Sequence, residues 1–256
     1  FEKVSKNLPH PDIIMVSMPS IEITSKVVKY SKKNDIPVYV EIRDLWPDIF
    51  LDISPLIFKP IIFFVNLYLN IKLKKSLKNA DGLIGITESY LKWALNKIKR
   101  RKTKNDSVYQ MGYLKQNEND LLNYKKLESN TFSFINKSNI NVVFVGTIGK
   151  TNDLETVLIS AKKIANKKLS ISFIIAGKGE KYFYLKKKYS YLQNVVFVGW
   201  LDRSEIRVLL SKCHIGILPY INSNNYKFNI PNKPSEYLSE GLALALSLDQ
   251  GEMYQL

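Results

Sequence analysis

The sequence is short of the residues that most often carry redox, metal or disulfide chemistry. Among its 256 residues there is one cysteine, Cys213, and there are two histidines, His10 and His214. A single cysteine excludes an intramolecular disulfide and fits a reducing, cytoplasmic compartment. Histidines this far apart lack metal-ligand spacing, and Cys213-His214, where a helix meets a strand, reads as buried structure. Acidic residues are scarce too, 23 against 38 lysines and arginines, which leaves a net charge of +15. That excess favours an anionic partner: a phosphorylated small molecule, an acidic membrane surface or nucleic acid. It decides nothing alone, because many lysines only solvate helix faces. No signal peptide is recognisable, but the chain opens at Phe1 rather than at a methionine, so nothing follows about a leader.

What is present is an alternation of short apolar runs and helical stretches, the pattern of parallel α/β folds. Strands are predicted at Asp12–Ser17, Val38–Ile42, Gly82–Thr87 and Val108–Met111, with helices at Ile23–Lys33 and Glu88–Arg101. Residues 115 to 138 are rich in Asn, Lys, Ser and Glu without periodicity and read as a linker. A second series follows: strands at Asn141–Gly146, Ile171–Gly177, Val195–Gly199 and Ile215–Pro219. The helix between the first two has Leu154, Val157, Leu158, Ala161 and Ile164 on one face. Strands this apolar along their whole length are buried on both faces, as in parallel sheets. The expected organisation is two Rossmann-like domains, 1–115 and 139–256, joined by a linker at 116–138.

The segment 55–78 stands apart. Ile61-Ile-Phe-Phe-Val-Asn-Leu-Tyr-Leu-Asn-Ile71 is apolar nearly all round, and Lys72, Lys74, Lys75 and Lys78 follow. Lys59 and two asparagines interrupt it, against the roughly 20 mostly apolar residues that a spanning helix needs. It fits a helix lying in the interface of an anionic membrane, or one packed inside the first domain and ending in solvated lysines.

Ligands of open parallel sheets bind beyond the carboxyl ends of the strands. Gly146-Thr-Ile-Gly149-Lys150 occupies such a place before a helix, where glycines admit a ligand close to the backbone. The helix N-terminus and Lys150 add positive charge suited to a diphosphate. The alternative is a tight turn with an exposed lysine. A P-loop is excluded, since Phe144 stands where its first glycine is required. In Pro231-Asn-Lys-Pro-Ser-Glu-Tyr-Leu-Ser-Glu-Gly241, Pro234 is expected to open a helix with Glu236 in its first turn. There Glu236 can accept hydrogen bonds from ribose hydroxyls, or simply interact with the helix dipole. Lys233 precedes that helix and suits a phosphate. Tyrosines 182, 184, 189 and 191 among lysines suggest base stacking, but their helix must also pack on a sheet, so they read as core and rim.

The run Pro231-Asn-Lys-x-x-Glu-Tyr-Leu-x-x-Gly241, with Ser247 and Gly251-Glu252, resembles the donor-site segment of retaining GT-B glycosyltransferases of family four. It is similar to bacterial surface-polysaccharide transferases, including the N-acetylfucosamine and N-acetylhexosamine transferase group. Glu41-Ile-Arg-Asp-Leu-Trp-Pro-Asp48 resembles that group's N-terminal motif. Gly146-x-x-Gly-Lys150, Ala176-Gly-x-Gly179 and Val196-Phe-Val-Gly199 match its C-terminal domain in order.

The resemblance implies an α/β, GT-B fold, two Rossmann-like domains with mostly parallel sheets facing a cleft. It also implies that both ends lie outside the chain, leaving the N-terminal domain incomplete and the fragment alone of doubtful activity. Gly146, Gly149, Lys150 and Lys233 would hold the donor diphosphate, with Asn232 in the same donor site. Glu236 would bind the ribose, and Gly199 to Leu201 would line the base. Arg43 and Asp44 would act near the acceptor and the transferred sugar. Many relatives carry a histidine at position 43 and a glutamate where Phe228 stands.

The activity implied is transfer, with retention, of a hexose or N-acetylhexosamine. The donor would be a nucleoside-diphosphate sugar, UDP-linked, needing no metal or other cofactor. The acceptor would be a lipid-linked glycan at the inner face of a bacterial membrane, for surface polysaccharide such as capsule or lipopolysaccharide. The alternatives are a UDP-N-acetylglucosamine 2-epimerase-like enzyme and a truncated nucleotide-binding protein without catalysis. Nucleic acid is not expected as a partner.

Overall fold

The computed structural model describes residues 9–113, 132–136 and 138–255. Most of the linker expected at 116–138 therefore lies outside the described residues. The chain divides into two compact units.

The first unit contains β1 (Ile14–Ser17), α1 (Ile21–Lys33), β2 (Val38–Ile42), α2 (Ile49–Ile53), α3 (Lys59–Asn79), β3 (Gly82–Gly85), α4 (Glu88–Ile98) and β4 (Ser107–Val108). Its strands run parallel in the order β1-β2-β3-β4. Val38, Val40 and Ile42 of β2 are fully buried, as a central strand requires. Local signals set the helix starts: Ser20 and Thr87 accept N–H bonds from Ile23 and Tyr90 as N-caps of α1 and α4. The strand expected at Val108–Met111 is shorter and earlier, because β4 pairs with β3 only at Ser107 and Val108.

The second unit contains β5 (Ile140–Val145), α5 (Leu154–Asn166), β6 (Ile171–Ala176), α6 (Tyr182–Lys188), β7 (Val195–Gly199), α7 (Arg203–Leu210) and β8 (Ile215–Leu218). After β8 a short helix, α8 (Asn224–Phe228), belongs to the first unit, and α9 (Asn232–Ser239) and β9 (Ala243–Leu246) complete the second. The five strands are parallel in the order β7-β6-β5-β8-β9, doubly wound with the reversal between β5 and β8. The predicted stripe on α5 is buried through Leu154, Val157, Leu158 and Ala161. Of the four tyrosines, Tyr189 is buried, Tyr182 is half-buried and packs edge-on against Phe197, and Tyr184 and Tyr191 are exposed.

Domain membership departs from the contiguous division expected from the sequence, since Ser223–Ile230 and residues 251–255 pack in the first unit. The Thr87 hydroxyl donates to the Phe228 carbonyl at 2.6 Å, and the Tyr90 hydroxyl to Asn225 Oδ1 at 3.0 Å. The Ser89 N–H at the start of α4 donates to Glu252 Oε1 at 2.8 Å. Of these, the Ser89 bond satisfies a helix-start N–H that has no partner within the helix, and the other two come from side-chain hydroxyls of the same turn.

Candidate functional site

In the second unit, the loops after β5, β6 and β7 continue the sheet's hydrogen bonding beyond the strands. Gly146 N–H donates to the Ala176 carbonyl at 3.0 Å, and Gly177 N–H to the Gly199 carbonyl at 2.6 Å. Ile148 N–H donates to the Lys178 carbonyl at 2.9 Å, and Lys181 N–H returns to the Ile148 carbonyl at 3.0 Å. The approach is so close that a Cβ on Gly177, whose φ is +132°, would sit 1.8 Å from the Gly146 carbonyl oxygen. Glycine is therefore obligatory there, on backbone angle and on space. Gly149 differs: a Cβ on it would meet nothing nearer than 3.7 Å, so its surroundings in the unit do not demand glycine.

Helix α9 brings a side chain into this cradle from the β8 side. Tyr237 is fully buried, its ring covers Gly216 of β8, and its hydroxyl accepts the Val145 N–H at 2.9 Å. Lys233 is one turn earlier on the same face, so the fixing of Tyr237 also fixes Lys233. The Lys233 ammonium lies 4.7 Å from the Phe144 ring centre and 5.4 Å from that of Tyr220. It is so close to the Gly146 backbone that a Cβ there would be 2.4 Å from Nζ. Among the described residues no carboxylate forms an ion pair with it. Burial lowers its pKa to about 8, with the nearby Glu236 carboxylate opposing the fall.

The start of α9 differs from expectation. The helix opens at Asn232, with Pro231 as its N-cap and no side chain capping it. Pro234 is therefore the third residue of the helix, and Glu236 lies in the second turn rather than the first. Proline is tolerated there because the earliest N–H groups have no partner within the helix. Glu236 is half-buried, and desolvation raises its pKa against the opposing charges of Lys233 and Arg203. Asn232 and Lys150 are exposed.

A cavity of about 240 Å³ opens where β5, β6 and β7 end, lined by Gly146, Gly177, Lys178, Trp200, Leu201 and Ile206 among others. Leu201 was expected here. Trp200, 64% exposed, falls within the same expected stretch; Lys178 and Ile206 were not expected, and the only available signal was their position just beyond strand ends. The cradle thus combines closely approached glycine backbone, one desolvated cation and a recess with an aromatic wall, a combination suited to an anionic group attached to a planar one.

Arg43 and Asp44 follow β2 in the first unit. Asp44 is half-buried, and desolvation raises its pKa while the Leu45 N–H, donating to Oδ1 at 3.0 Å, opposes the rise. Arg43 is exposed, with Nη2 3.5 Å from Met111 Sδ. The Glu41–Asp48 segment ends structurally: Asp48 receives Trp93 Nε1 at 2.9 Å and Lys97 Nζ at 2.8 Å. Cys213 and His214 were expected to be buried, but His214 is exposed, its Nδ1 accepting the Asn141 N–H at 3.0 Å, and Cys213 is half-buried, which pushes its thiol up to about 12. Among the described residues no three His, Cys, Asp or Glu side chains form a metal-binding group.

No curated protein matches the chain in sequence. Residues 139–252 match the family described as glycosyl transferases group 1. Similar solved structures include HepE from Anabaena in complex with UDP, at TM-score 0.65 and 14% identity over 99% of this chain and 64% of HepE. Sucrose-phosphate synthase from Thermosynechococcus elongatus aligns at TM-score 0.68 and 14% identity, covering 98% of this chain and 59% of the synthase. UDP-GlcNAc 2-epimerase from Neisseria meningitidis, bound to UDP-GlcNAc, aligns at TM-score 0.53 and 17% identity, covering 99% and 63%. The chain thus spans less than two thirds of the length of each of these three. At such identities the likeness establishes the fold: an α/β protein of two Rossmann-like, parallel-sheet units with GT-B glycosyltransferases as its neighbours, matching glycosyl transferases group 1 over residues 139–252.

Proposed function

We propose that the chain is the greater part of a glycosyltransferase that takes a hexose or N-acetylhexosamine from a UDP-linked donor and delivers it, with retention, to a lipid-linked glycan for surface polysaccharide. The observation that carries this reading is Lys233, a cation with no carboxylate ion-paired to it among the described residues, beside the Gly146 backbone at the sheet's reversal point. HepE, of the same fold, has been solved with UDP and with UDP-glucose. In this reading Lys233, Lys150, the Gly146–Gly149 backbone and the start of α9, including Asn232, face the diphosphate. Glu236 receives the ribose hydroxyls, and the recess beside Gly199, Trp200 and Leu201 takes the base.

Transfer breaks the bond between the anomeric carbon and the diphosphate oxygen and forms one to the acceptor oxygen, whose proton is released. The departing diphosphate gathers negative charge while the sugar becomes oxocarbenium-like. Groups already aimed at the phosphates stabilise that change without reorganising. Arg43 and Asp44 are assigned to the sugar and acceptor.

The test is a calorimetric titration with UDP of the unaltered chain and of Glu236→Ala and Lys150→Ala. Binding weakened by both substitutions supports the donor site, and a folded chain that ignores UDP removes it. The likeness to a UDP-GlcNAc 2-epimerase favours a second reading. Conversion of a UDP-sugar without any acceptor would select it.

A further inference from the structure

Helix α3 inverts the usual polarity of a surface helix. Over residues 59–71 the side facing its own unit carries two asparagines beside Leu69. Asn66 is buried and donates to the Pro47 carbonyl at 2.9 Å, and Asn70 Oδ1 accepts from Lys97 Nζ at 2.6 Å. The outward side of the same turns carries Ile61, Phe64, Leu67, Tyr68 and Ile71, each at least half exposed, Phe64 by 70%. The turn before it adds Leu56 and Ile57, both about four-fifths exposed. After Ile71 both sides change character. Leu73 and Leu77 are fully buried inward, while Lys74, Lys75 and Lys78 are exposed and Lys72 lies over the Tyr68 ring.

A contiguous apolar surface of this length, about 24 Å at 1.5 Å per residue, is not left in water without a purpose. The occupant must accept an apolar half and a cationic half on one line. A second copy meeting this face with its own supplies no counter-charge for the cationic half, because α3 and the turn before it contain no acidic residue. Passage across a bilayer would require the lysine half to leave its seat, where Leu73, Ser76 and Leu77 are buried. The surface of an anionic bilayer meets both demands, with acyl chains for the first half and phosphates for the second.

We infer that the turn from Leu56 and helix α3 dock this chain on an anionic membrane surface, apolar side chains at the acyl boundary and Lys72 to Lys78 among the headgroups. This goes beyond the proposed donor chemistry and needs no nucleotide. The experiment is flotation of the whole chain with vesicles of phosphatidylcholine containing phosphatidylglycerol, and with phosphatidylcholine alone. The chain should float with the anionic vesicles, less so as salt rises, and stay behind with the neutral ones. Ile61→Ser and Phe64→Ser, on exposed positions, should each weaken binding about tenfold. Lys74→Gln and Lys75→Gln should each weaken it about fivefold.

A soluble chain that ignores anionic vesicles, or serine variants that float as well as the original, would overturn the inference. So would a dimer in solution that Phe64→Ser dissociates, which would give the face to a second copy. UDP titration of the same variants separates this question from the donor site, since all four should bind UDP as the original does.

Discussion

Lys233 sets up the sharpest test of the donor site, because its burial makes binding depend on pH in a direction that the fold dictates. In the free protein its pKa is about 8, against 10.5 for an ordinary lysine. Between those values the unfolded chain holds the proton and the folded one does not, so folding stability rises as pH climbs from 8 to 10.5. Below pH 8 the charged lysine costs the fold on the order of 3 kcal/mol. A bound diphosphate reverses the balance by favouring the ammonium. UDP affinity should therefore fall about tenfold from pH 7 to pH 9, as the free site loses its proton.

At pH 9 each UDP bound should draw about one proton from solution. Titration calorimetry in two buffers of different ionisation enthalpy measures both quantities. Lys233→Met keeps the apolar stem beside Phe144 and Tyr220 while removing the charge. It should weaken binding at pH 7 by about 10- to 100-fold, the worth of a charge-assisted hydrogen bond. The variant should also lose the dependence on pH. An affinity that is flat from pH 7 to 9 in the unaltered protein, or equally steep in Lys233→Met, would refute the reasoning.

Four further outcomes follow from the same contacts. Gly177→Ala should lower stability by about 3 kcal/mol or more, from a left-handed φ and a collision with the Gly146 carbonyl, read by denaturant unfolding. Tyr237→Phe strands the Val145 N–H and should cost about 1–3 kcal/mol in the same assay, with weaker UDP binding because Lys233 loses its anchor. Trp200→Ala should reduce UDP affinity about tenfold with little change in stability, since the ring is mostly exposed. Asp44→Asn should leave UDP titration unchanged and depress sugar transfer in an assay with membrane acceptor.

Most strands were legible because residues such as Val142 to Val145 are apolar without interruption, which only a strand covered on both faces allows. The cradle was legible in part. Glycines at strand ends announce a close approach of backbone, but the order β7-β6-β5-β8-β9 decides which loops meet. That order is why Gly177 is indispensable and Gly149 is not. The desolvation of Lys233 depends on Phe144, Gly146 and Tyr220, which stand on other elements and are distant from it in sequence. Two prolines close together misdirected the start of α9, since Pro234 fits the third helical position as well as the first. In α3 composition foretold an apolar and basic segment, but which side faced inward depended on the phase of the helix against Pro47 and Lys97. The assignment of 223–230 and 251–255 to the first unit rests on individual hydrogen bonds to α4, which no composition shift marks.

Those hydrogen bonds set a clock for folding on the ribosome. Ser89 waits for Glu252, 163 residues later, and Tyr90 waits for Asn225, 135 residues later. At about 5–20 residues per second, helix α4 remains without its last partner for roughly 8–30 s after its own synthesis. The strands of the first unit emerge first, yet its Glu252 contact must wait until the strands of the second have been made. Any interruption of synthesis within the second unit would leave both units unfinished.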